Sequence, residues 1–244
     1  MTDTRYIVTF ILILTAVVAV SLTGLREATK EKAAQNEAIF NKRAILSAVN
    51  DYLPGGQQVG DLSDQEVLEL FNDQMEQYVL NMDGEVVDGM MAEDVDMAKE
   101  RKKPEPQRVL PLYVFNSGDQ QFYIVSVRGT GLWDEIWGNI ALESDLNTVA
   151  GAAFDHAGET PGLGAEIKDN PNFSEQFKGK KIYEDGDYVS IDVIKPGRSP
   201  NEHQVDGISG ATVTGDGVAE MLYRGIQYYQ PYFQAVQRQS MLLR

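Results

Sequence analysis

Ser209, Thr212 and Thr214 lie in the stretch VDGISGATVTGDGVAE (Val205–Glu220), among Gly207, Gly210, Gly215 and Gly217. Hydroxyls at this density can act as nucleophiles, phosphate ligands or turn-formers. A nucleophilic hydroxyl needs a base beside it, and no His, Lys or Cys lies within the stretch. Turn chemistry is one reading, because Asp-Gly, Ser-Gly and Gly-Asp-Gly are all turn signals. A phosphate seat is the other. A helix is expected to follow, its N-terminus offers free N–H groups and a field that favours an anion, and the glycines allow close backbone approach. The stretch is not a P-loop, since no Lys follows the glycines. It also lacks the G-x-G-x-x-G spacing of a dinucleotide turn.

Two other glycine turns could join it. In DHAGETPGLGAEI (Asp155–Ile167), Pro161, Gly162 and Gly164 define a rigid turn. Glu159 and Thr160 beside Leu163 could present polar and apolar contacts to a flat ligand, or the segment could simply connect strands. In RGTGLWDEIWG (Arg128–Gly138), Trp133 and Trp137 are spaced to share one face of a strand. They read either as core packing or as the wall of a ring-binding pocket.

Composition limits the chemistry. With no cysteine among 244 residues, disulfides, thiolate nucleophiles, Cys-type zinc and Cys-ligated iron–sulfur clusters are excluded. His156 and His203 are the two histidines and lie far apart in sequence, a poor basis for a metal or haem site. A net charge of −16 argues against a nucleic-acid partner, whose phosphates are met by Lys and Arg. What remains is oxygen groups, backbone, or an organic cofactor.

The elements that must position these residues begin with Tyr6–Leu25, twenty residues without a charge, bracketed by Arg5 and Arg26. A helix of that length spans about 30 Å, the thickness of a bilayer core. A cleaved signal peptide fits less well, because the run is longer than an h-region and Leu-Thr-Gly-Leu-Arg is a poor cleavage site. Arg26, Lys30 and Lys32 follow the span while Arg5 precedes it, a distribution that by itself favours a cytoplasmic C-terminal domain. Alanine-rich Arg26–Leu53 predicts a continuing helix, stopped by Pro54-Gly55-Gly56. Ser63 with Glu66 marks a capping box at the start of a second helix.

Strand signals come next. YVLNMDGEVV predicts a hairpin around Asp83-Gly84, residues 90–108 a charged surface connection, and VLPLYVF–NSGD–QFYIVSVRG a second hairpin. GLWDEIWGNIALES continues the strand pattern, and a further strand is expected at Val189–Ile194. Val218, Met221, Leu222, Gly225, Ile226 and Tyr229 share one face of a final helix, expected over Gly217–Gln237. The class is α+β: a single N-terminal transmembrane helix, then a largely antiparallel sheet domain with flanking helices. The expected division is an anchor over residues 1–25, a helical juxtamembrane region with a hairpin over 26–108, and a sheet domain over 109–244.

DGISGAT (Asp206–Thr212) fits the pattern Asp-x-x-Ser/Thr-Gly-Ala-Thr, and GETPGLGAEI and GTGLW follow two companion signatures. Together they resemble the FMN-binding domain family found in the C subunit of Na+-translocating NADH:quinone oxidoreductases and in the G subunit of the related Rnf complexes. The resemblance covers nearly the whole chain, and the long region before VLPLYVF is more like the C subunit of the oxidoreductases. It implies FMN carried by phosphoester on Thr212, with Thr214 as the fallback position, installed from FAD by a separate flavin transferase. That would account for the missing base. It further implies that Ser209, Gly210 and Ala211 shape the phosphate end, that Thr160, Leu163 and Gly164 meet the isoalloxazine, and that Trp133 packs nearby. Glu159 and Lys195 are expected as polar contacts.

The implied activity is electron carriage, between a partner iron–sulfur centre and another flavin, in a complex that couples NADH oxidation and quinone reduction to Na+ export. Implied partners are the other membrane subunits, the flavin transferase and the bacterial inner membrane. The family's flavin domain faces the periplasm, against the charge distribution noted above; long domains translocate largely regardless of such charges. The alternatives are the Rnf counterpart, a membrane-anchored flavin-binding sensor without a pumping role, and a structural anchor subunit in which the glycine loop is only a turn.

Overall fold

The computed structural model describes residues 2–242. Its chain divides into two compact units, Met1–Asn41 and Lys42–Arg244. The first consists of most of helix α1 (Thr2–Ser47). From residue 3 to residue 38 every side chain is exposed, including Ile7, Phe10, Ile11, Leu12 and Leu14. The helix is long and apolar enough to cross a membrane, with a mean hydropathy of 2.5 in its most apolar window. An all-round apolar surface left in the open is what a lipid-facing span requires.

In the second unit α1 stops at Ser47, earlier than the sequence predicts, and short 3-10 turns carry the chain to Asp61. Helix α2 (Asp64–Gln74) begins on Ser63, whose hydroxyl accepts from the Glu66 N–H while the Glu66 carboxylate accepts from the Ser63 N–H, the expected capping box. Five strands follow as an antiparallel sheet in sequence order: β1 (Met75–Asn81), β2 (Val109–Ser117), β3 (Gln120–Thr130), β4 (Glu135–Leu142) and β5 (Val149–His156).

The β2–β3 hairpin stands where the β-branched and aromatic pattern puts it. The Asp83-Gly84 turn is present, with Gly84 at φ +79°, but its return arm is reduced to one bridge, Leu80 to Val86. The connection at 90–108 is not purely surface: it contains helix α3 (Met97–Glu100), and the buried Glu100 carboxylate accepts from the Val109 N–H at 3.1 Å.

Strand β2 is buried along most of its length because both sheet faces are covered. On one side Phe71 of α2 meets Tyr113, and Tyr52 packs on Phe122 at 4.1 Å. On the other, alternate residues Leu112 and Val114 join a core built around helix α6 (Thr212–Gln227). Between β5 and α6 lie α4 (Glu166–Asp169), α5 (Pro171–Glu175), the small hairpin β6 (Tyr183–Glu184) and β7 (Asp187–Tyr188), and a parallel pair, β8 (Asp192–Ile194) with β9 (Gln204–Asp206). The strand expected at Val189–Ile194 is thus shorter.

The expected single final helix is two, α6 and α7 (Gln230–Leu242). Pro231 explains the break: it has no N–H to donate and its ring would meet the carbonyl one turn back. At the junction the buried Tyr229 hydroxyl lies within hydrogen-bonding distance of the Pro111 and Ser126 carbonyls, 2.9 and 3.0 Å away, fixing the helix pair to the sheet.

Candidate functional site

Helix α6 begins at Thr212 rather than after the glycines, so the hydroxyl-rich stretch is half turn and half helix. Helix propensity does not favour Gly215 and Gly217; tertiary packing places them in the helix. A Cβ on Gly217 would stand 2.4 Å from the Thr130 carbonyl, and one on Gly225 would stand 2.5 Å from Val127 Cγ1. The glycines that read as ligand-facing are therefore partly packing residues, setting α6 hard against β3.

Before the helix, Ile208–Ala211 forms a tight turn closed by the Ala211 N–H on the Ile208 carbonyl at 3.0 Å. Gly210 takes φ +79° in it, the third-position conformation that favours glycine. Ala211 is the N-cap and has no side chain with which to cap. The N–H groups of the first helical turn therefore keep the free hydrogen-bonding capacity of an open helix end. Thr212, Val213 and Ser209 are exposed there.

The ETPGLG segment forms a second turn of the same kind. The Leu163 N–H donates to the Thr160 carbonyl at 3.1 Å, and Gly162 sits at φ +74° after Pro161. Leu163 lies over the first turn: a Cβ on Gly210 would be 2.8 Å from Leu163 Cδ2. The third turn joins β3 to β4, with the Gly131 N–H donating to the Asp134 carbonyl at 2.8 Å. Trp133 is in this turn and not in a strand, so it does not share a strand face with Trp137, which pairs with Arg128 in the sheet. Trp133 is 70% exposed, and its indole N–H donates to Thr160 Oγ1 at 3.0 Å.

Glu159 connects all three. Its Oε1 accepts from the N–H groups of Trp133 at 2.9 Å and Asp134 at 3.4 Å, and its Oε2 accepts from the Thr214 hydroxyl at 2.7 Å. The residue is 5% exposed. Burial pushes its carboxyl up, but the hydrogen bonds from Trp133, Thr214 and Asp134, with the nearby His156, outweigh burial and hold it below the usual carboxylate value. Thr214 is 1% exposed. The two threonines of the first helical turn thus differ sharply: Thr212 faces outward, and Thr214 is buried with its proton engaged.

Thr212, Ser209, Gly210, Ala211, Thr160, Leu163, Gly164, Trp133 and Glu159 therefore fall on three adjoining turns. Leu132, Trp133, Leu163 and Val213 give these turns exposed apolar surface. An exposed hydroxyl beside an uncapped helix end fits a phosphate, and exposed apolar side chains on the adjoining turns fit a flat ring. Lys195 follows β8, whose Ile194 carbonyl accepts from the Gly207 N–H at 2.7 Å.

Sequence reading missed two supporting residues, His156 and Gln176. His156 Nδ1 accepts from the Glu159 N–H at 3.2 Å. Gln176 brackets Asp206, accepting from its N–H at 2.7 Å and donating to its carbonyl at 3.1 Å. Asp206 itself opens the motif, and its Oδ1 is buried without a hydrogen-bond partner.

Comparison with known proteins shows the family and the fold. Residues 131–227 match the FMN-binding domain family. A Pseudomonas aeruginosa protein, named as the C subunit of a Na(+)-translocating NADH-quinone reductase, is 32% identical over 234 residues, covering 87% of each chain. A Vibrio campbellii protein of the same name is 31% identical over 85% of this chain and 83% of its own. Among solved structures, the corresponding reductase subunit from Parabacteroides distasonis superposes with a TM-score of 0.74 at 38% identity, covering 84% of this chain and 96% of that one. Shewanella oneidensis NqrC gives 0.69 at 27% identity, covering 84% and 98%.

Proposed function

The chain belongs to the C-subunit family of Na+-translocating NADH-quinone reductases, and from that premise we propose that it is the membrane-anchored electron-carrying subunit of such a complex, with FMN held covalently on Thr212. One contrast carries the assignment: Thr212 is exposed at the uncapped start of α6, whereas Thr214 is buried with its hydroxyl committed to Glu159.

In this reading the Thr212 oxygen bonds to the FMN phosphorus of FAD within a flavin transferase. The phosphorus–oxygen bond to AMP breaks, AMP leaves, and the hydroxyl proton passes to a base of the transferase. The chain's own part is to present the hydroxyl. The N–H groups of the first turn of α6 and the helix field would then hold the phosphate. Ser209, Gly210 and Ala211 shape the space around it, with Lys195 as a further polar group beside Gly207. Leu163 and Trp133 would line the ring, and Thr160 fixes the Trp133 indole; Gly164, expected there from the sequence, is buried and its open side faces Glu159 and Thr214 instead.

FMN, when bound, supplies the redox chemistry, and the protein supplies position and electrostatics. The exposure of the turns would leave the ring open to neighbouring subunits, between an iron–sulfur centre and another flavin. Residues 109–244 would carry the flavin, residues 26–108 would form the juxtamembrane region, and residues 1–25 would anchor the chain in the inner membrane with the flavin on the periplasmic side.

The test is intact mass after co-expression with a flavin transferase. The expected gain is one FMN less one water. Because Thr212 and Thr214 share the tryptic peptide Ser199–Arg224, fragment ions must place the adduct between Ala211 and Val213. No adduct, or one on Thr214, sinks the assignment. Reporter fusions at the C-terminus test the orientation, and cytoplasmic activity would reverse it.

A further inference from the structure

Glu159 lies beneath the three turns rather than on their open face. Both of its carboxylate oxygens are engaged, Oε1 by the Trp133 and Asp134 N–H groups and Oε2 by the Thr214 hydroxyl. Among the described residues no Lys or Arg forms an ion pair with it. A carboxylate in that setting is an expensive way to fill space, since an apolar side chain of similar volume avoids the desolvation cost. The surroundings are nevertheless shaped to admit it. A Cβ on Gly131 would stand 2.5 Å from Oε1, and one on Gly164 would stand 2.4 Å from Oε2 and 2.7 Å from Thr214 Oγ1. Two glycines from two different turns thus leave the room that the carboxylate occupies.

Its partners lie 25, 26 and 55 residues away in sequence. They belong to the turn that carries Trp133 and to the helical turn that carries Thr212. A carboxylate can accept from all of these donors at once, whereas an amide has only one accepting oxygen. The Glu159 N–H is itself held by His156 Nδ1 at 3.2 Å, which keeps the ETPGLG segment in register with the end of β5.

We infer that Glu159 is a positioning residue for the loading of Thr212: through Thr214 and Trp133 it holds the first turn of α6 and the Trp133 turn in the one relation that presents the Thr212 hydroxyl beside an open helix end. It touches neither the phosphate nor the ring, in contrast to the polar-contact role expected from the sequence. The inference rests on attachment at Thr212 and goes beyond it, because it assigns the geometry of the site to a side chain that is not part of the reaction.

The full-length chain is co-expressed with a flavin transferase as wild type, Thr214→Ser, Thr214→Val and Glu159→Gln. FMN on the Thr212 position is followed in time by mass, and cooperative melting is followed on chains made without the transferase. Thr214→Ser keeps the donor and is expected to load at the wild-type rate. Thr214→Val removes the donor at nearly constant volume and is expected to load at least tenfold more slowly while still melting cooperatively. Glu159→Gln, which cannot accept from both sides, is expected to do the same.

Wild-type loading in a folded Thr214→Val chain overturns the inference, as does a Thr214→Ser chain as slow as the valine variant. The serine–valine comparison decides the matter even if Glu159→Gln does not fold. A wild-type chain that carries no FMN on Thr212 would instead defeat the functional assignment, and that control separates the two failures.

Discussion

The backbone of Gly217 lies against the carbonyl of Thr130 so closely that a Cβ there would stand 2.4 Å from the oxygen. This contact brings α6 down onto the end of β3, at the strand terminus that leads into the Trp133 turn. The distance between the helix that bears Thr212 and the turn that bears Trp133 is therefore set by a missing methyl group.

Gly217→Ala tests that contact. Helix propensity alone would favour alanine by about 1 kcal/mol, but a backbone carbonyl cannot move aside as a flexible side chain can. The expected net effect is destabilisation of about 1–3 kcal/mol, the usual range for overpacking, read as a lower melting temperature of the full chain in detergent. A stabilised variant would show that the sheet yields.

Trp133→Ala separates ring binding from folding. The side chain is largely solvent-exposed, so stability should change by no more than about 0.5 kcal/mol. FMN should remain on the chain, since the phosphoester is at Thr212. The anisotropy of the flavin fluorescence should fall because the ring loses one wall. Unchanged anisotropy would remove Trp133 from the site.

Acid should weaken the fold through Glu159. Its carboxyl is held below the ordinary value of 4.5, so the ionised form is the one that stabilises the fold. That contribution is fully present above the unfolded-state value and is lost as pH falls through the folded-state value. The melting-temperature gap between wild type and Glu159→Gln should stay constant from neutral pH down to about 5 and narrow below that. A gap independent of pH would mean that the charge is not what stabilises.

Removal of residues 1–41 should leave a soluble, cooperatively melting protein. The buried core begins with Ile45 and Leu46, and residues 3–38 contribute nothing buried to it. Sedimentation without detergent checks this; aggregation of the 42–244 chain would show that the first unit is needed for more than anchoring.

Local signals in the sequence were reliable where a few neighbouring residues decide the outcome. Ser63 and Glu66 cap α2 by each accepting from the other's backbone N–H, and Pro161-Gly162 and Ser209-Gly210 form their turns from local φ preferences and a short-range backbone hydrogen bond each. Strand β5 was not legible: VAGAAFDH is built of small residues with little strand propensity, and Gly151 is needed because the Ala48 carbonyl approaches to within 2.4 Å of where its Cβ would be. The early start of α6 was hidden for the same reason, since Gly215 and Gly217 read as loop until β3 and β8 are packed on them. The support role of Glu159 depends on partners far away in the chain, and no local pattern records such distances. The Pro231 break was there to be read, but the apolar periodicity on either side of it masked it.

The seat around Thr212 draws on turns near residues 131–134, 159–164 and 208–212, joined by contacts of long sequence separation. Such contacts form only after loop closure has been overcome, late relative to local structure. Before β3, β4 and β5 have closed and α6 has docked, the threonine is one hydroxyl among many on an unfolded strand. A transferase that recognises the arrangement meets it only on a finished protein. Colour would then double as an inspection stamp: within a population of these chains, the yellow ones are those that have completed folding.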